Sequence, residues 1–218
     1  MATWDGIYRT LGAIQGEDPS EQIVGIVPIL KERGVKRVLD HGCGPAKNTA
    51  YLASEGFEVV GMDNSKRGLE LAQKRCLAYR NAAFVEAEMD NIPYNSGYFD
   101  AVISSHCVQH ALAPKRAGAF REFGRVIRSN GLLFLRTIST RHPLFGKGRE
   151  LDEIGTFVDI PDLPDGNVPH HYFTKDELEE SLSANFVIER ITHRSDRNTQ
   201  GGKFPHGLEE WVVLARRK

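Results

Sequence analysis

The segment 38–49, VLDHGCGPAKNT, constrains the fold more than any other part of the chain. The apolar pair Val38-Leu39 is typical of a short buried strand in a parallel sheet. Gly42 and Gly44 permit a tight turn in which bare backbone comes close to a ligand. Asn48-Thr49 then open an apolar stretch as a helix start. The segment therefore predicts a strand, a glycine turn and a helix.

This turn is a candidate cofactor site. Ligands of parallel sheets bind beyond the carboxyl ends of the strands, and the first backbone N–H groups of a helix have no internal partner. Lys47 occupies the position of the third glycine in the dinucleotide pattern G-x-G-x-x-G, which disfavours pyrophosphate. Asp40 precedes the turn, where a carboxylate suits a cationic ligand better than a phosphate. The alternative is an ordinary tight turn.

Asp40, Gly42 and Gly44, with Ala46 in place of a third glycine, resemble motif I of class I S-adenosylmethionine-dependent methyltransferases. The longer stretch GPAKNTAYLASEGFEVVGMDNS is similar to the tellurite-resistance and thiopurine branch of small-molecule enzymes. The resemblance covers about residues 38–218. It implies an α/β Rossmann-like three-layer sandwich whose mostly parallel seven-stranded sheet has the order 3-2-1-4-5-7-6 and an antiparallel last strand. It also implies S-adenosyl-L-methionine as the cofactor and methyl transfer as the activity.

Length and composition fit one such domain. The 218 residues include 28 Lys plus Arg against 29 Asp plus Glu, a formal charge of −1 that gives no basic field for nucleic acid. The three widely spaced cysteines fit reduced thiols rather than a disulfide framework. No signal peptide or membrane span is evident. We expect a cytoplasmic monomer or homodimer that acts on a small molecule and binds neither nucleic acid nor membrane.

We expect residues 1–36 to form a helical lid segment and residues 37–218 to form the methyltransferase domain. Ile23, Val27 and Leu30 form an apolar stripe of a helix that packs on the sheet. Trp4 and Tyr8 lie four residues apart and share one helical face, which is typical of core packing. The family resemblance implies instead that this segment folds over the cofactor, which makes both aromatics candidate contacts.

A second acid, Asp63, ends the predicted second strand, 57–62. It follows Asp40 at a spacing at which a carboxylate in a βαβ unit accepts hydrogen bonds from the two hydroxyls of a ribose. The alternative is that Asp63 caps the helix that begins near Ser65. Asn64 has the same two possible roles.

Two further strand ends supply candidates through the family resemblance. After the strand 82–87, Glu88, Met89 and Asp90 match the acidic turn that contacts the adenine of the cofactor. After the strand 101–103, four polar residues should border the transferable methyl group: Ser104, Ser105, His106 and His110. The complete predicted cofactor-binding set is Asp40, Gly42, Cys43, Gly44, Asn48, Asp63, Asn64, Glu88, Met89, Asp90, Ser104 and Ser105.

From residue 138 to 171 the periodicity stops, so we expect an irregular cap insertion that selects the substrate. It contains aromatic residues together with His142, Arg149, His170 and His171. The adjacent histidines could bind a metal, but without an i,i+4 partner or supporting cysteines the expectation is no metal site. Before the cap we predict a strand at 132–135. Beyond the cap we predict a helix that begins at a Thr174 and Glu177 capping box, and strands at 186–191 and 211–217 joined by the Gly- and Asn-rich stretch 195–207.

Methyl transfer from a sulfonium needs alignment of the acceptor and exclusion of water rather than a protein nucleophile. If the acceptor is a hydroxyl or an amine, a base must remove its proton, and the candidates are His106, His110 and Tyr8. A thiol or chalcogen anion needs no base. The alternatives to this enzyme are an NAD-dependent oxidoreductase and a non-catalytic protein that binds S-adenosylmethionine.

Overall fold

The computed structural model describes residues 3–14, 16–161, 163–196 and 207–218. In these residues the helices are α1 Trp4–Leu11, α2 Glu21–Glu32, α3 Lys47–Ser54, α4 Lys66–Arg75, α5 Ala113–Val126 and α6 Lys175–Ser183, with a 3₁₀ turn at Val108–His110. The strands are β1 Arg37–His41, β2 Glu58–Asp63, β3 Ala82–Glu86, β4 Phe99–Ser105, β5 Ile127–Ile138, β6 Arg149–Glu150, β7 Thr156–Val158, β8 His170–His171, β9 Phe186–Asp196 and β10 Leu208–Arg217.

Seven of these strands form the main sheet, in the order β3-β2-β1-β4-β5-β10-β9. Strands β1 to β5 pair in parallel, with Val38 opposite both Val59 and Ala101. Strand β10 is antiparallel to both of its neighbours, β5 and β9. The predicted fold class, strand order and antiparallel last strand are therefore confirmed. Because β1 lies between β2 and β4, the carboxyl ends of three strands meet beside the glycine turn.

Two apolar clusters cover the two faces of this sheet. Ile26 and Leu30 of α2 and Leu52 of α3 pack on one face. Phe123 of α5 and Leu178 of α6 pack on the other. Each buried side chain of this size stabilises the fold by roughly 1.5–3 kcal/mol through removal of apolar surface from water. The helices are therefore fixed on both faces, which gives three layers.

The cap departs from the sequence prediction. Within the insertion predicted to be irregular, β6, β7 and β8 form a small antiparallel sheet. Strands of two or three residues are too short to show a periodicity of two, so the pattern could not reveal them. Phe157 and Tyr172 pack there against Ile138 at the end of β5, in an apolar cluster that joins the cap to the main sheet.

Other boundaries shift slightly. Strand β5 begins at Ile127 rather than at 132, and its register against β4 slips so that Phe99 faces Ile127 whereas Ala101 faces Leu132. Asn130 lies within this slip, at φ 61°. Residues 197–206, most of the stretch predicted to join the last two strands, lie outside the described residues. Among the helices that the structure describes, none is both long and apolar enough to cross a membrane.

Candidate active site

The turn after β1 is built from residues with positive φ. Gly42 and Gly44 lie at φ 72° and 51°, and the backbone N–H groups of Gly42 and Cys43 donate to the carbonyl of Met62, at 2.8 and 3.0 Å. A Cβ built on Gly42 would lie 2.3 Å from Sγ of Cys107. Glycine is therefore required at position 42 both by the backbone angle and by the close contact.

Ala46 occupies the third-glycine position and fits there, but at φ 62°. Its side chain is fully buried. A left-handed conformation costs a non-glycine residue roughly 1–2 kcal/mol. The surrounding contacts hold this strain at the start of α3, directly beside the glycine turn.

Asp63, at the end of β2, is hydrogen-bonded to the glycine turn. Its carboxylate accepts hydrogen bonds from the backbone N–H groups of Gly44 and Ser65, both at 2.8 Å. The N-cap of α4 is Ser65, whose hydroxyl accepts from the N–H of Gly68, so Asp63 is not the helix cap. Burial raises the pKa of Asp63, and the backbone hydrogen bonds oppose the shift. Each carboxylate oxygen keeps a second lone pair for another donor.

Asp40 has a different environment from the one expected. It is buried beneath the turn, where Oδ2 accepts a hydrogen bond from Oγ1 of Thr49 at 2.5 Å. Burial raises its pKa to about 6. This carboxyl fastens β1 to the first turn of α3, and it is not part of the cavity wall described below.

A cavity of about 720 Å³ opens beside the turn. This volume lies within the range of roughly 300–1,000 Å³ that is typical of small-molecule sites. Eleven of the predicted site residues line it: Tyr8, Gly42, Cys43, Gly44, Asn48, Asp63, Asn64, Met89, Ser105, His106 and His110. The topology thus brings most of the sequence candidates to one place, because they follow neighbouring strands of the parallel sheet.

Four predicted residues do not line this cavity: Asp40, Glu88, Asp90 and Ser104. Glu88 is exposed and binds Nζ of Lys115 at 2.5 Å, and this hydrogen bond lowers its pKa. Asp90 is exposed, and its Cβ packs close to Gly118 of α5. Ser104 is buried at 3.2 Å from Nδ1 of His41. Side chains alternate along strands, so Ser104 and Ser105 face opposite sides of the sheet.

Known proteins are similar to this chain in sequence. A family model described as a methyltransferase domain matches residues 39–135. A malonyl-[acyl-carrier protein] O-methyltransferase from Legionella pneumophila is 30% identical over 145 residues, 63% of this chain and 50% of that protein. An uncharacterized methyltransferase from Schizosaccharomyces pombe is 32% identical over 105 residues, 48% of this chain and 72% of the yeast protein. The chain belongs to the class I S-adenosylmethionine-dependent methyltransferases.

The likeness extends to the whole fold. A solved structure of an S-adenosylmethionine-dependent methyltransferase from Methanosarcina mazei matches with a TM-score of 0.73 at 21% identity, over 87% of this chain and 96% of that one. At this identity the match shows the fold. The chain spans half the length of the Legionella relative. Membership of this family gives S-adenosylmethionine as the cofactor and argues against an NAD-dependent oxidoreductase.

Helix α1 covers the glycine turn of the methyltransferase. A Cβ built on Gly44 would lie 2.6 Å from Oη of Tyr8, and one on Gly68 would lie 3.1 Å from the Tyr8 ring. Asp5 fastens α1 to α4, since its carboxylate accepts from the backbone N–H of Arg67 at 2.7 Å and from the hydroxyl of Ser65 at 3.1 Å. Tyr8 is buried as a result.

His106 belongs to a buried charge network at the end of β4. Its Nε2 lies 2.9 Å from the Glu210 carboxylate, which Arg136 also binds through Nε and Nη2. Burial alone would raise the pKa of Glu210, but the hydrogen bond from His106 and the charge of Arg136 lower it to about 2. Burial lowers the pKa of His106, so the neutral ring donates from Nε2 and keeps a lone pair on Nδ1.

His110 lies between helix α1 and strand β8 of the cap. Its ring packs edge-on against Trp4, with centroids 4.8 Å apart, and against His170, at 4.6 Å. Burial, with the neighbouring His170, holds its pKa well below the usual value. His110 is therefore neutral at pH 7, like His106.

The adjacent cap histidines point to opposite sides of β8. His170 lines the cavity and binds Asp165, with Nε2 2.9 Å from Oδ2. His171 turns away and binds Glu177 of α6 at 2.8 Å and Oγ1 of Thr156 at 2.8 Å. His170 and His171 therefore cannot bind the same metal ion, so the alternative that the adjacent histidines form a metal site is wrong. His171 instead fastens the cap to the domain.

Several cavity residues were not predicted from the sequence: His41, Arg136, Asp165, Tyr172 and Glu210. His41 could have been predicted as a site residue, because it directly precedes the glycine turn in the sequence. Its Nε2 lies 3.1 Å from the carbonyl of Met89, and burial lowers its pKa to about 4. No sequence pattern marks Arg136 or Glu210 as a site residue, because only the pairing of β5 with β10 brings them together.

Proposed function

We propose that this methyltransferase transfers the methyl group of S-adenosylmethionine to a small-molecule acceptor bound between the glycine turn and the cap. One observation carries the proposal: a single cavity is lined both by the turn with Asp63 and by cap residues such as Asp165 and His170. The cofactor and a small acceptor can therefore meet within one cavity.

In this proposal the cofactor lies along the ends of β1 and β2. Asp63 accepts the ribose hydroxyls with the lone pairs that Gly44 and Ser65 leave unused. The adenine lies near Asn64 and Met89, which line the cavity, rather than against Glu88 or Asp90. The bare backbone at Gly42 and Gly44 lets the methionine part approach the turn.

The sulfonium already activates the methyl group, so the chain must align the acceptor with the S–CH₃ bond and exclude water. Orientation of this kind contributes up to about 7–11 kcal/mol in well-ordered systems.

Helix α1, with Trp4 and Tyr8 in the cavity wall, serves as the lid, and residues 138–171 serve as the substrate cap. Bound S-adenosylhomocysteine should therefore slow the hydrogen exchange of the amides of α1; unchanged exchange would argue against a lid.

The candidate bases are His106, His110 and Tyr8, which all line the cavity. The two histidines are neutral, so each has a ring nitrogen that can accept the proton of a hydroxyl or amine acceptor. Tyr8 is the third candidate through its position over the turn. A thiol acceptor ionises more easily and needs no such base.

The acceptor class is a small molecule or a small group on a carrier. The Legionella relative is named for methylation of an oxygen of malonyl-[acyl-carrier protein], which is a small group on a carrier. The balanced charge of this chain favours no polyanionic substrate. All three cysteines are free thiols, which is typical of a reducing compartment, and we propose the cytoplasm.

The test is a transfer assay with isotopically labelled S-adenosylmethionine and a panel of small thiols, hydroxyls, amines, carboxylates and chalcogen oxyanions. Labelled product and S-adenosylhomocysteine should form in equal amounts with at least one member. Cofactor binding without turnover on any member would favour the non-catalytic binding protein. A His110→Gln variant that retained full turnover of a hydroxyl acceptor would remove His110 as the base.

A further inference from the structure

We propose that His110, Asp165 and His170 form a site for one divalent metal ion of the zinc type. One nitrogen of each ring and one carboxylate oxygen lie within 4.8 Å of one another. All three residues line the cavity, so an ion held there has an open position towards the acceptor. Three protein ligands with an open position are typical of catalytic rather than structural zinc sites.

The contact between His170 and Asp165 is close to the spacing of two zinc ligands. Zinc binds nitrogen and oxygen at about 2.0–2.2 Å, which in a tetrahedral site places neighbouring ligand atoms roughly 3.3–3.6 Å apart. Nε2 of His170 lies 2.9 Å from Oδ2 of Asp165, so this contact has to lengthen by about 0.5 Å to hold an ion. The nitrogen of His110 has to approach by at most about 1.5 Å from the limit of 4.8 Å.

A second observation points to a cation. Oδ1 of Asp165 is a buried atom without a hydrogen-bond partner among the described residues, and Asp165 as a whole is only 5% exposed. Buried polar atoms are nearly always hydrogen-bonded, and a buried carboxylate is normally paired or bound to a metal. An unpartnered carboxylate oxygen beside two imidazole rings therefore indicates a cationic ligand.

The orientation of His110 also suits a metal ligand. Its Nδ1 lies 3.3 Å from the carbonyl of Pro169, which fixes the N–H on that nitrogen and leaves the lone pair on Nε2. Metal-binding histidines usually donate their second ring nitrogen to a carbonyl or carboxylate in this way. The site could not be found from residue spacing, because His110 is distant from the two cap residues along the chain.

Binding of the metal does not depend on the proposed function, whereas a catalytic role for the metal rests on the proposed methyl transfer. An acceptor hydroxyl or thiol that occupies the open position would lose its proton more readily, since a divalent cation lowers the pKa of a bound oxygen or sulfur. The candidate base His110 would then act through the ion rather than by itself.

Metal binding can be measured directly. The full chain, freed of metal by a chelator, is titrated with Zn²⁺ by calorimetry and with Co²⁺ by absorption spectroscopy. We expect one ion per chain, and Asp165→Asn and His170→Gln should each weaken binding on the order of 100-fold or more, because even partners outside the ligand shell contribute 10–100-fold. Circular dichroism checks that both variants fold.

His193→Gln is the matched control. His193 binds Ser139 and lies outside the cavity wall, so this variant should bind the metal like the wild type. Absence of stoichiometric binding in the wild type, or equal binding by Asp165→Asn, would overturn the site. A Co²⁺ spectrum with thiolate bands would place the ion at a cysteine and would also overturn it. S-adenosylhomocysteine binding, measured on the same metal-free protein, reports on the proposed function separately.

Discussion

Replacement of Asp63 by asparagine tests the cofactor site most specifically. The carboxylate holds the N–H groups of Gly44 and Ser65 at 2.8 Å, and in our proposal it also accepts the ribose hydroxyls. An amide keeps the shape but has only one acceptor oxygen, so its NH₂ group faces either a backbone donor or a ribose hydroxyl. At least one charge-assisted hydrogen bond is lost.

The size of the effect follows from that bond. A hydrogen bond to a charged group contributes roughly 1.5–3 kcal/mol, and about 1.4 kcal/mol corresponds to a factor of ten in affinity. Asp63→Asn should therefore weaken S-adenosylhomocysteine binding tenfold or more. Calorimetric titration measures the dissociation constant, and a urea titration checks that the variant is folded.

Glu86→Gln is the control for the loss of a charge. Glu86 is an exposed acid at the end of β3, which pairs with β2, and it is outside the cavity wall, so its amide variant should bind the cofactor product normally. The pH dependence gives a second readout. Burial raises the pKa of Asp63 above 3.8. As the pH is lowered, the affinity of the wild type for S-adenosylhomocysteine should therefore begin to fall at a higher pH than it would with an ordinary aspartate. The affinity of Asp63→Asn should not change with this protonation. Wild-type affinity in a folded Asp63→Asn protein would refute the ribose assignment.

Two further predictions concern stability. Gly42 and Gly34 have similar backbone angles, φ 72° and 68°, but a Cβ on Gly34 meets no atom within 4 Å. Gly34→Ala should therefore lower the free energy of unfolding in urea by roughly 1–2 kcal/mol, and Gly42→Ala should lower it by about 1–3 kcal/mol more. Equal losses would show that the contact between a Cβ at position 42 and Cys107 is unimportant. His106 and Arg136 lower the pKa of Glu210 from 4.5 to about 2, so its carboxylate stabilises the fold above pH 4.5. This contribution, on the order of 3 kcal/mol at most, is lost as the pH falls towards 2. Glu210→Gln should show a flatter decline over this range, and an unchanged decline would contradict the assignment.

The sequence was sufficient for the part of the site that depends on strand ends. The glycine turn, Asp63, His106 and His110 all follow strands of one parallel sheet, and parallel strands bring their carboxyl ends to one edge. Knowing that the segments are strands is enough to place these residues together, without any distance between them. The strand order, in contrast, was predicted from the family resemblance alone, and the sheet confirms it.

The direction of individual side chains could not be predicted so well. Asp40 follows the expected pattern of an acid before the turn, but Thr49 engages its carboxylate beneath the turn. His170 and His171 are adjacent and chemically identical, and only the alternation along β8 separates a cavity residue from one that fastens the cap. Strands this short leave no periodicity in the sequence, so the direction of their side chains is set by tertiary packing.

The central claim is that this cavity binds S-adenosylmethionine. Calorimetric titration of the purified wild-type chain with S-adenosylhomocysteine, and with NADH under the same conditions, tests it directly. The account predicts micromolar binding of S-adenosylhomocysteine and no binding of NADH. Binding of NADH alone, or of neither ligand by the folded protein, would contradict it.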